Sequence, residues 1–245
     1  IVFSILRPPP ISTLFPYTTL FRSSKILKIP GCICIIGDIY KHSNIPIIGK
    51  FLIFILKKTD VVTVTGNRSL NYLLTKGLSK EKIHILPNTI DIERFKPKSI
   101  EKQYDILSLG RLSEEKRLDI FLKIIAKLKQ KGYPLKVGIV GEGKEKEKLI
   151  SLTKDLLIEN NIEFIGFIND VEKCYQKAKI FVLTSPREGL PLTIVEAMSC
   201  GVPVISSNVG DIGDIISDGE NGFLIEKFDD IDQYVDKIIK LLINK

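Results

Sequence analysis

Two glutamates stand eight positions apart, Glu188 and Glu196, on either side of Gly-Leu-Pro-Leu-Thr-Ile-Val. The first sits in a Gly-Pro turn. The second falls two helical turns further on, inside an otherwise apolar stretch. A carboxylate there costs stability unless something hydrogen-bonds it. Glu196 therefore needs a specific polar partner, and the hydroxyls of a ribose would serve. Upstream, Gly110-Arg111-Leu112-Ser113-Glu114-Glu115-Lys116-Arg117 sets cations beside a glycine, and Gly141-Glu142-Gly143 and Gly166-Phe167 place further glycines after apolar runs. Arg111 and Lys116 can neutralise a diphosphate, and backbone N–H groups near Leu190, Leu192 and Thr193 can donate to it. Each such charge-assisted bond is worth about 1.5–3 kcal/mol when sheltered. Taken singly, the two cations read as a solvated loop face. Gly141 and Gly143 alone read as an ordinary strand-to-helix turn. Position 146 is Lys, so there is no GxGxxG fingerprint and a nicotinamide dinucleotide is poorly supported.

These residues share a position only if the chain builds a particular scaffold. Apolar, β-branched runs alternate with amphipathic stretches from residue 31 onward. Strands are expected near 31–36, 60–66, 82–88, 104–110, 135–141, 162–166, 179–185 and 203–207. Helices are expected over 47–58, 67–76, 118–130, 144–159, 170–178, 190–201 and 211–217, with a final one built on Ile231, Tyr234, Val235, Ile238, Ile239 and Leu242. Pro191 in a first turn and Gly201 just past an end give the usual helix asymmetry. Such alternation implies crossover connections and a mostly parallel, doubly wound α/β sheet of Rossmann-like type. In that class ligands bind beyond the carboxyl ends of the strands. The loops holding Gly110, Arg111, Lys116, Gly141, Gly166 and Glu188 are all such ends.

The composition of the 245 residues is ordinary for a globular protein, with 44% hydrophobic and 27% charged residues, which excludes a disordered chain. The net charge of +7 is spread out. No basic stripe with interleaved aromatics occurs, so nucleic acid is not an expected partner. An anionic ligand or an anionic membrane surface explains the excess equally well. The four cysteines (Cys32, Cys34, Cys174, Cys200) lack the further ligands a metal would need and read as buried thiols of a reducing compartment. His42 and His84 are lone histidines and read as structural. Residues 1–23 carry three consecutive prolines and a segment, ISTLFPYTTLFRS, that resembles translated sequencing-adapter sequence. They are expected to be a non-native, disordered leader. The apolar stretch 45–56 is too short to span a bilayer and reads as a buried or interfacial helix. The best boundary follows Pro97, giving units 24–97 and 98–245.

The chain resembles the retaining glycosyltransferases of the GT-B fold, most of all glycosyltransferase family 4, the glycosyl transferases group 1. The segment from Glu188 to Glu196 is similar to that family's E-x7-E signature. LPNTID (86–91) is similar to its P-N-G-V-D segment, GRLSEEKRLD (110–119) to its G-R-L-x-x-x-K-G-x-D, VGEG (140–143) to its glycine turn, and 201–225 to its G-x-P-V-I…G-x-L run. Thr89 and Arg117 stand where glycine is common. The resemblance implies a donor-binding domain at 98–245, preceded at 24–97 by the tail of a truncated acceptor domain. It implies transfer of a sugar from a nucleotide diphosphate sugar to a lipid-linked or polysaccharide acceptor with retention and no obligatory metal or cofactor. By that resemblance Arg111 and Lys116 hold the diphosphate and Glu188 contacts the transferred sugar. Glu196 binds the ribose, while Gly110, Gly141, Leu190, Pro191, Leu192 and Thr193 surround the phosphates. Gly166, Phe167 and Ile168 lie near the base. A cytoplasmic protein, with peripheral association at the inner membrane face, is the matching location. A nucleotide-sugar 2-epimerase and a non-catalytic nucleotide-sugar binding module are the alternatives, and a truncated chain is expected to bind donor but transfer poorly.

Overall fold

The computed structural model describes residues 2–5, 30–35, 37 and 46–243. The chain divides into two compact units. The first is residues 1–88 with 188–190 and 210–214, and the second is 89–187, 191–209 and 215–245.

In the first unit, β1 (Val2–Ile5), β2 (Cys32–Ile35), β3 (Val61–Val64) and β4 (Ile83–Ile85) form one sheet in that order, all pairs parallel. Two helices complete it, α1 (Pro46–Lys58) and α2 (Asn67–Thr75). Alternate residues of β2 and β3 point inward, so Ile33, Ile35, Val62 and Val64 meet Ile55 and Leu56 of α1 and Leu73 of α2 in one core. Gly77, at φ +78°, closes α2 as its sequence position predicts. The opening of α2 has no side-chain cap of its own, since Gly66 precedes it. Its acceptors come from far along the chain. Asp211 is 1% exposed and accepts from Thr65 Oγ1 (2.6 Å), Ser69 N (2.9 Å) and Ser69 Oγ (2.6 Å), and Asp214 accepts from Asn67 N (2.5 Å). Two carboxylates thus face the positive end of the helix.

Two sequence expectations are corrected in this unit. Val2–Ile5 is a strand, paired in register with Cys32–Ile35, although the leader is expected to have no regular structure. The adapter-like segment lies outside the described residues, as do Asp38 and His42. Cys32 and Cys34 are half-buried rather than buried, because β2 turns alternate residues away from the core, whereas Cys174 and Cys200 are buried. His84 is exposed on β4.

In the second unit six parallel strands run β10-β9-β8-β5-β6-β7, comprising β5 (Tyr104–Leu109), β6 (Val137–Val140), β7 (Ile162–Gly166), β8 (Ala178–Leu183), β9 (Val204–Ser207) and β10 (Gly222–Ile225). This is the doubly wound order, with its reversal between β5 and β8. Helices α3 (Leu118–Gln130), α4 (Lys146–Asp155), α5 (Val171–Gln176), α6 (Leu192–Ser199) and α7 (Ile231–Ile243) connect and cover it. Every residue of β6 and β9 is buried, as expected of strands covered on both faces. On one face Phe121, Leu122 and Ile125 of α3 pack with Tyr234, Val235 and Ile238 of α7, and the Tyr234 hydroxyl donates to Leu183 O (3.0 Å). Each such side chain contributes about 1.5–3 kcal/mol by burial.

Departures here have local causes. The helix expected over 144–159 stops at Asp155, where Leu157 takes a left-handed conformation (φ +57°) and Ile158 N bonds back to Thr153 O. No glycine marks this end, so the sequence reads through it. The helix expected at 211–217 is a single 3-10 turn, Ile212–Asp214, whose Asp211 and Asp214 face α2 instead. Gly222–Ile225 adds an edge strand that its four residues and flanking turn signals hide. Residues 89–97 pack with the second unit, nine positions earlier than the boundary read from composition. There the Ser199 hydroxyl donates to Phe95 O (2.8 Å) and Gln176 Nε2 to Lys96 O (2.9 Å).

Candidate functional site

The reversal of strand order leaves a narrow hollow of about 10 Å3 at the carboxyl ends of β5, β6 and β8. Gly110, Arg111 and Lys116 line it, together with Val140, Leu183 and Thr184. Thr184 is the tie across the reversal, its one hydroxyl proton shared between the carbonyls of Lys116 (3.2 Å) and Arg117 (3.1 Å), which fixes the cationic loop on the end of β8. The Lys116 stem lies close over Gly110, with Cε 3.6 Å from where a Cβ on Gly110 would stand. The loops after β5, β6 and β7 are laced together by backbone bonds, Gly110 N to Val140 O (3.0 Å), Gly141 N to Gly166 O (2.9 Å) and Leu112 N to Glu142 O (3.0 Å). Gly141 permits this, since a Cβ there would stand 1.9 Å from Gly110 O.

Arg117 has φ +47°, a left-handed position that explains why glycine is common there. The arginine is held by a two-point bond to Asp119 (2.8 and 3.0 Å) and lies over the Phe228 ring. Hydrogen bonding to Asp119 raises the Arg117 pKa, and the same bond lowers that of Asp119. Arg117 is thus committed to the fold, and Arg111 and Lys116 are the cations of the hollow.

Helix α6 opens at Pro191, which has no N–H and shapes the turn only. Leu192 and Thr193 supply first-turn N–H groups, which an α-helix leaves without intrahelical partners. The buried Thr193 hydroxyl has no hydrogen-bond partner among the described residues, nor has that of Ser185. An oxyanion bound at this helix end would satisfy the first.

Glu196, further along α6, does have the polar partner its sequence context demands. The Tyr175 hydroxyl donates to Glu196 Oε2 at 2.8 Å. Tyr175 is fully buried between Phe95 and Phe181. Burial and the adjoining carboxylate push its pKa well up, so it remains a donor. Burial also raises the Glu196 pKa, partly offset by the Tyr175 bond and Arg94. The folded state therefore holds the Glu196 proton more tightly than the unfolded chain. Stability from this group is present below the ordinary carboxylate range and is lost as pH rises through the raised value, so at neutral pH the charge is a cost. Glu196→Gln keeps an acceptor for Tyr175 and removes that cost. Its melting temperature at pH 7 is expected to be no lower than the parent's. Thermal denaturation of the two proteins at pH 7 checks this, and a lower melting temperature for Glu196→Gln would contradict it.

The remaining sequence-predicted residues fall elsewhere. Glu188 and Leu190 pack with the first unit, where Gly189 O accepts from Asp211 N (2.9 Å) and Leu190 O from Asn88 Nδ2 (2.5 Å). Asn88 is thereby a structural tie. Phe167 is 74% exposed. Ile168 lines a different, open groove of about 570 Å3 beside α5, with Tyr104 and Ile165. Tyr175 and Thr184 are the members that sequence reasoning missed. The one signal for Thr184 is a polar residue ending the apolar run of β8, and Tyr175 has none. Among the described residues no three His, Cys, Asp or Glu side chains cluster as a metal set.

The family model for glycosyl transferases group 1 matches residues 89–245, well over half of the chain. The chain belongs to that family. Among curated relatives of this group 1 member, an uncharacterized glycosyltransferase of Haemophilus influenzae is 38% identical over 159 residues, covering 64% of this chain and 44% of the relative. The N-acetylgalactosamine-N,N'-diacetylbacillosaminyl-diphospho-undecaprenol 4-alpha-N-acetylgalactosaminyltransferase of Campylobacter jejuni is 32% identical, covering 76% of this chain and 52% of the relative. The group 1 chain thus spans about half the length of these relatives. Among solved structures, a mutant of Staphylococcus aureus TarM in complex with fondaparinux, alpha-GlcNAc-glycerol and UDP superposes with a TM-score of 0.76 at 26% identity, over 88% of this chain and 44% of TarM. Anabaena HepE, solved with UDP, shares the fold at a TM-score of 0.80 and 20% identity, over 93% of this chain and 67% of that one.

Proposed function

We propose that this group 1 chain carries the donor site of a retaining glycosyltransferase of family 4, which moves a sugar from a nucleoside diphosphate sugar to a lipid-linked or polysaccharide acceptor. The observation that carries the reading is the hollow at the strand reversal, where Gly110, Arg111 and Lys116 stand together. The UDP in the TarM structure and the diphospho-undecaprenol substrate in the name of the Campylobacter relative support the choice of donor and acceptor classes.

In this mechanism the bond between the anomeric carbon and the diphosphate oxygen breaks and negative charge grows on the departing group, while an acceptor hydroxyl bonds to the same face of that carbon and its proton passes to the departing diphosphate oxygen. Arg111 and Lys116 meet that charge, and the Leu192 and Thr193 amides and the Thr193 hydroxyl complete its cradle. Fixed donors of this kind act without reorganising as the charge develops. A divalent metal has no required part in the reaction, because cations and a helix end supply the neutralisation. Glu196, oriented by Tyr175, takes the ribose hydroxyls. Glu188 contacts the transferred sugar, with Gly166, Phe167 and Ile168 nearest the base. The two glutamates are binders and not the acid and nucleophile of a glycosidase. The proposed setting is the cytoplasm or its membrane face. Residues 24–97 are proposed as part of an acceptor domain whose remainder belongs to a longer protein, and the sugar transfer is proposed for that whole protein.

The test is calorimetric titration of the 245-residue chain with UDP, with and without EDTA. Binding at micromolar concentrations that EDTA leaves unchanged is the expected result. Absence of binding by UDP and by other nucleoside diphosphates overturns the reading, and a requirement for metal overturns its metal-independent form. Retention is checked in the full-length protein by the anomeric configuration of the first product formed.

A further inference from the structure

Three consecutive residues of the segment that leads into β5 strap helix α5 to its surroundings. That helix is only six residues long. A helix so short has no stability of its own, and its place depends on what holds it. Asp170 at its start pairs with Lys173 (2.6 Å) and makes no side-chain cap. Arg94 serves that end instead. Its Nε and Nη2 both reach Glu172 Oε2 (2.9 Å each), and Nη2 also donates to Asn169 O (2.6 Å). Phe95 sets its ring 6.3 Å from that of Tyr175, centroid to centroid, and its carbonyl accepts from Ser199 of α6. The Lys96 carbonyl accepts from Gln176 at the far end of α5. The Arg94 guanidinium also lies over the Phe95 ring (5.1 Å).

We propose that Arg94 is a positioning residue for nucleotide binding, fixing at one point the loop that follows β7 and the helix that carries Tyr175. This role rests on the donor reading above, in which Gly166, Phe167 and Ile168 stand nearest the base and Glu196 takes the ribose hydroxyls. Asn169 directly follows those three loop residues. Glu172 stands three residues before Tyr175, whose hydroxyl donates to Glu196 Oε2 (2.8 Å). A planar guanidinium reaches both Asn169 and Glu172 with a rigid fork, which a lysine ammonium cannot do. Arg94 also acts on Glu196 by its charge. Around that carboxyl stand Tyr175 and Glu172 of α5, Arg94, and Cys200 at the end of α6. Arg94 lowers the Glu196 pKa and Glu172 raises it, against the larger upward push of burial. An ionised carboxylate is the stronger acceptor for ribose hydroxyls. Affinity therefore falls as pH drops through the Glu196 pKa.

The experiment is calorimetric titration with UDP across a series of pH values, for the 245-residue chain and three variants, with thermal denaturation at each pH. The ionisation of UDP itself is common to all four proteins, so differences between them report on the protein. Arg94→Gln is expected to bind UDP about fivefold more weakly at pH 7, the worth of one hydrogen bond. Its further loss of affinity on acidification should begin at a higher pH than the parent's. Glu172→Gln keeps an acceptor for Arg94 and removes the opposing charge, so its loss should begin at a lower pH. Arg94→Lys keeps the charge without the fork, and should show the parent's pH midpoint with a lowered affinity. A merely structural tie would not move the midpoints in opposite directions, because Arg94→Gln and Glu172→Gln remove the same ion pair. The Arg94 side chain is 45% exposed, so its loss should lower the melting temperature by only about 3 °C. Should Arg94→Gln not fold, Arg94→Lys and Glu172→Gln decide. Unchanged affinity for Arg94→Gln at pH 7, or midpoints that do not move apart, overturns the proposal and leaves the donor reading standing. A parent chain that binds no nucleoside diphosphate overturns the donor reading, and this role with it.

Discussion

Replacing Arg111 or Lys116 with alanine is expected to weaken UDP binding by about 10–100-fold, the worth of one sheltered charge-assisted bond. Both cations line the hollow at the strand reversal, and their loop is held there by Thr184. On the proposed reaction, the larger effect in the whole protein is expected in kcat, a fall of about 100- to 1,000-fold, because charge on the diphosphate would grow as the bond to the sugar breaks. Lys148→Ala is the control. That lysine is exposed and paired with Glu145 at 3.1 Å on α4, so its removal changes net charge equally without touching the hollow. Equal losses for Lys148→Ala and Lys116→Ala would reduce the effect to general electrostatics. The paired titrations and steady-state kinetics make that comparison directly.

A methyl group at Gly141 is expected to cost more stability than one at any loop glycine that merely has a positive φ. Gly132 and Gly141 both take such angles, +87° and +134°. Around Gly132 a Cβ would meet nothing within 4 Å, so Gly132→Ala carries only the backbone penalty, about 1 kcal/mol. At Gly141 the same Cβ would stand 1.9 Å from the carbonyl oxygen of Gly110. Neither backbone can retreat without breaking the bonds from Gly110 N to Val140 O and from Gly141 N to Gly166 O. Strain and overpacking together put the cost of Gly141→Ala at about 3 kcal/mol or more. That lowers the melting temperature by about 10 °C, against about 3 °C for Gly132→Ala. Because Gly110 borders the hollow, UDP affinity should fall with it. Equal melting temperatures for the two variants would mean that the three loops are not held as tightly as their hydrogen bonds indicate.

The candidate site was legible where its parts are local. Gly110, Arg111 and Lys116 lie within seven residues, and a short loop after an apolar run leaves them only the end of a strand. The opening of α6 was equally plain, because Pro191 and the apolar turns behind it carry their own backbone preferences. Glu196 was legible as a carboxylate in need of a partner. The partner was not, because Tyr175 lies 21 residues earlier on α5 and meets Glu196 only when α5 and α6 pack side by side. The missed end of α4 has a similar cause, since Leu157 takes a left-handed conformation without the glycine that usually signals one.

By itself the sequence determined the alternation of strands and helices, the parallel sheets that follow from it, and the loops in which the reactive residue types fall. Those depend on periodicity and turn chemistry, which act over a few residues. The tertiary structure alone decided that β5 and β8 are neighbours, bringing Thr184 to a loop 68 residues away. It alone sent Asp211 and Asp214 to cap α2, across more than 140 positions. Strand order and long-range caps are set by how buried faces fit and by which buried polar groups find partners. No local stretch of chain carries that information.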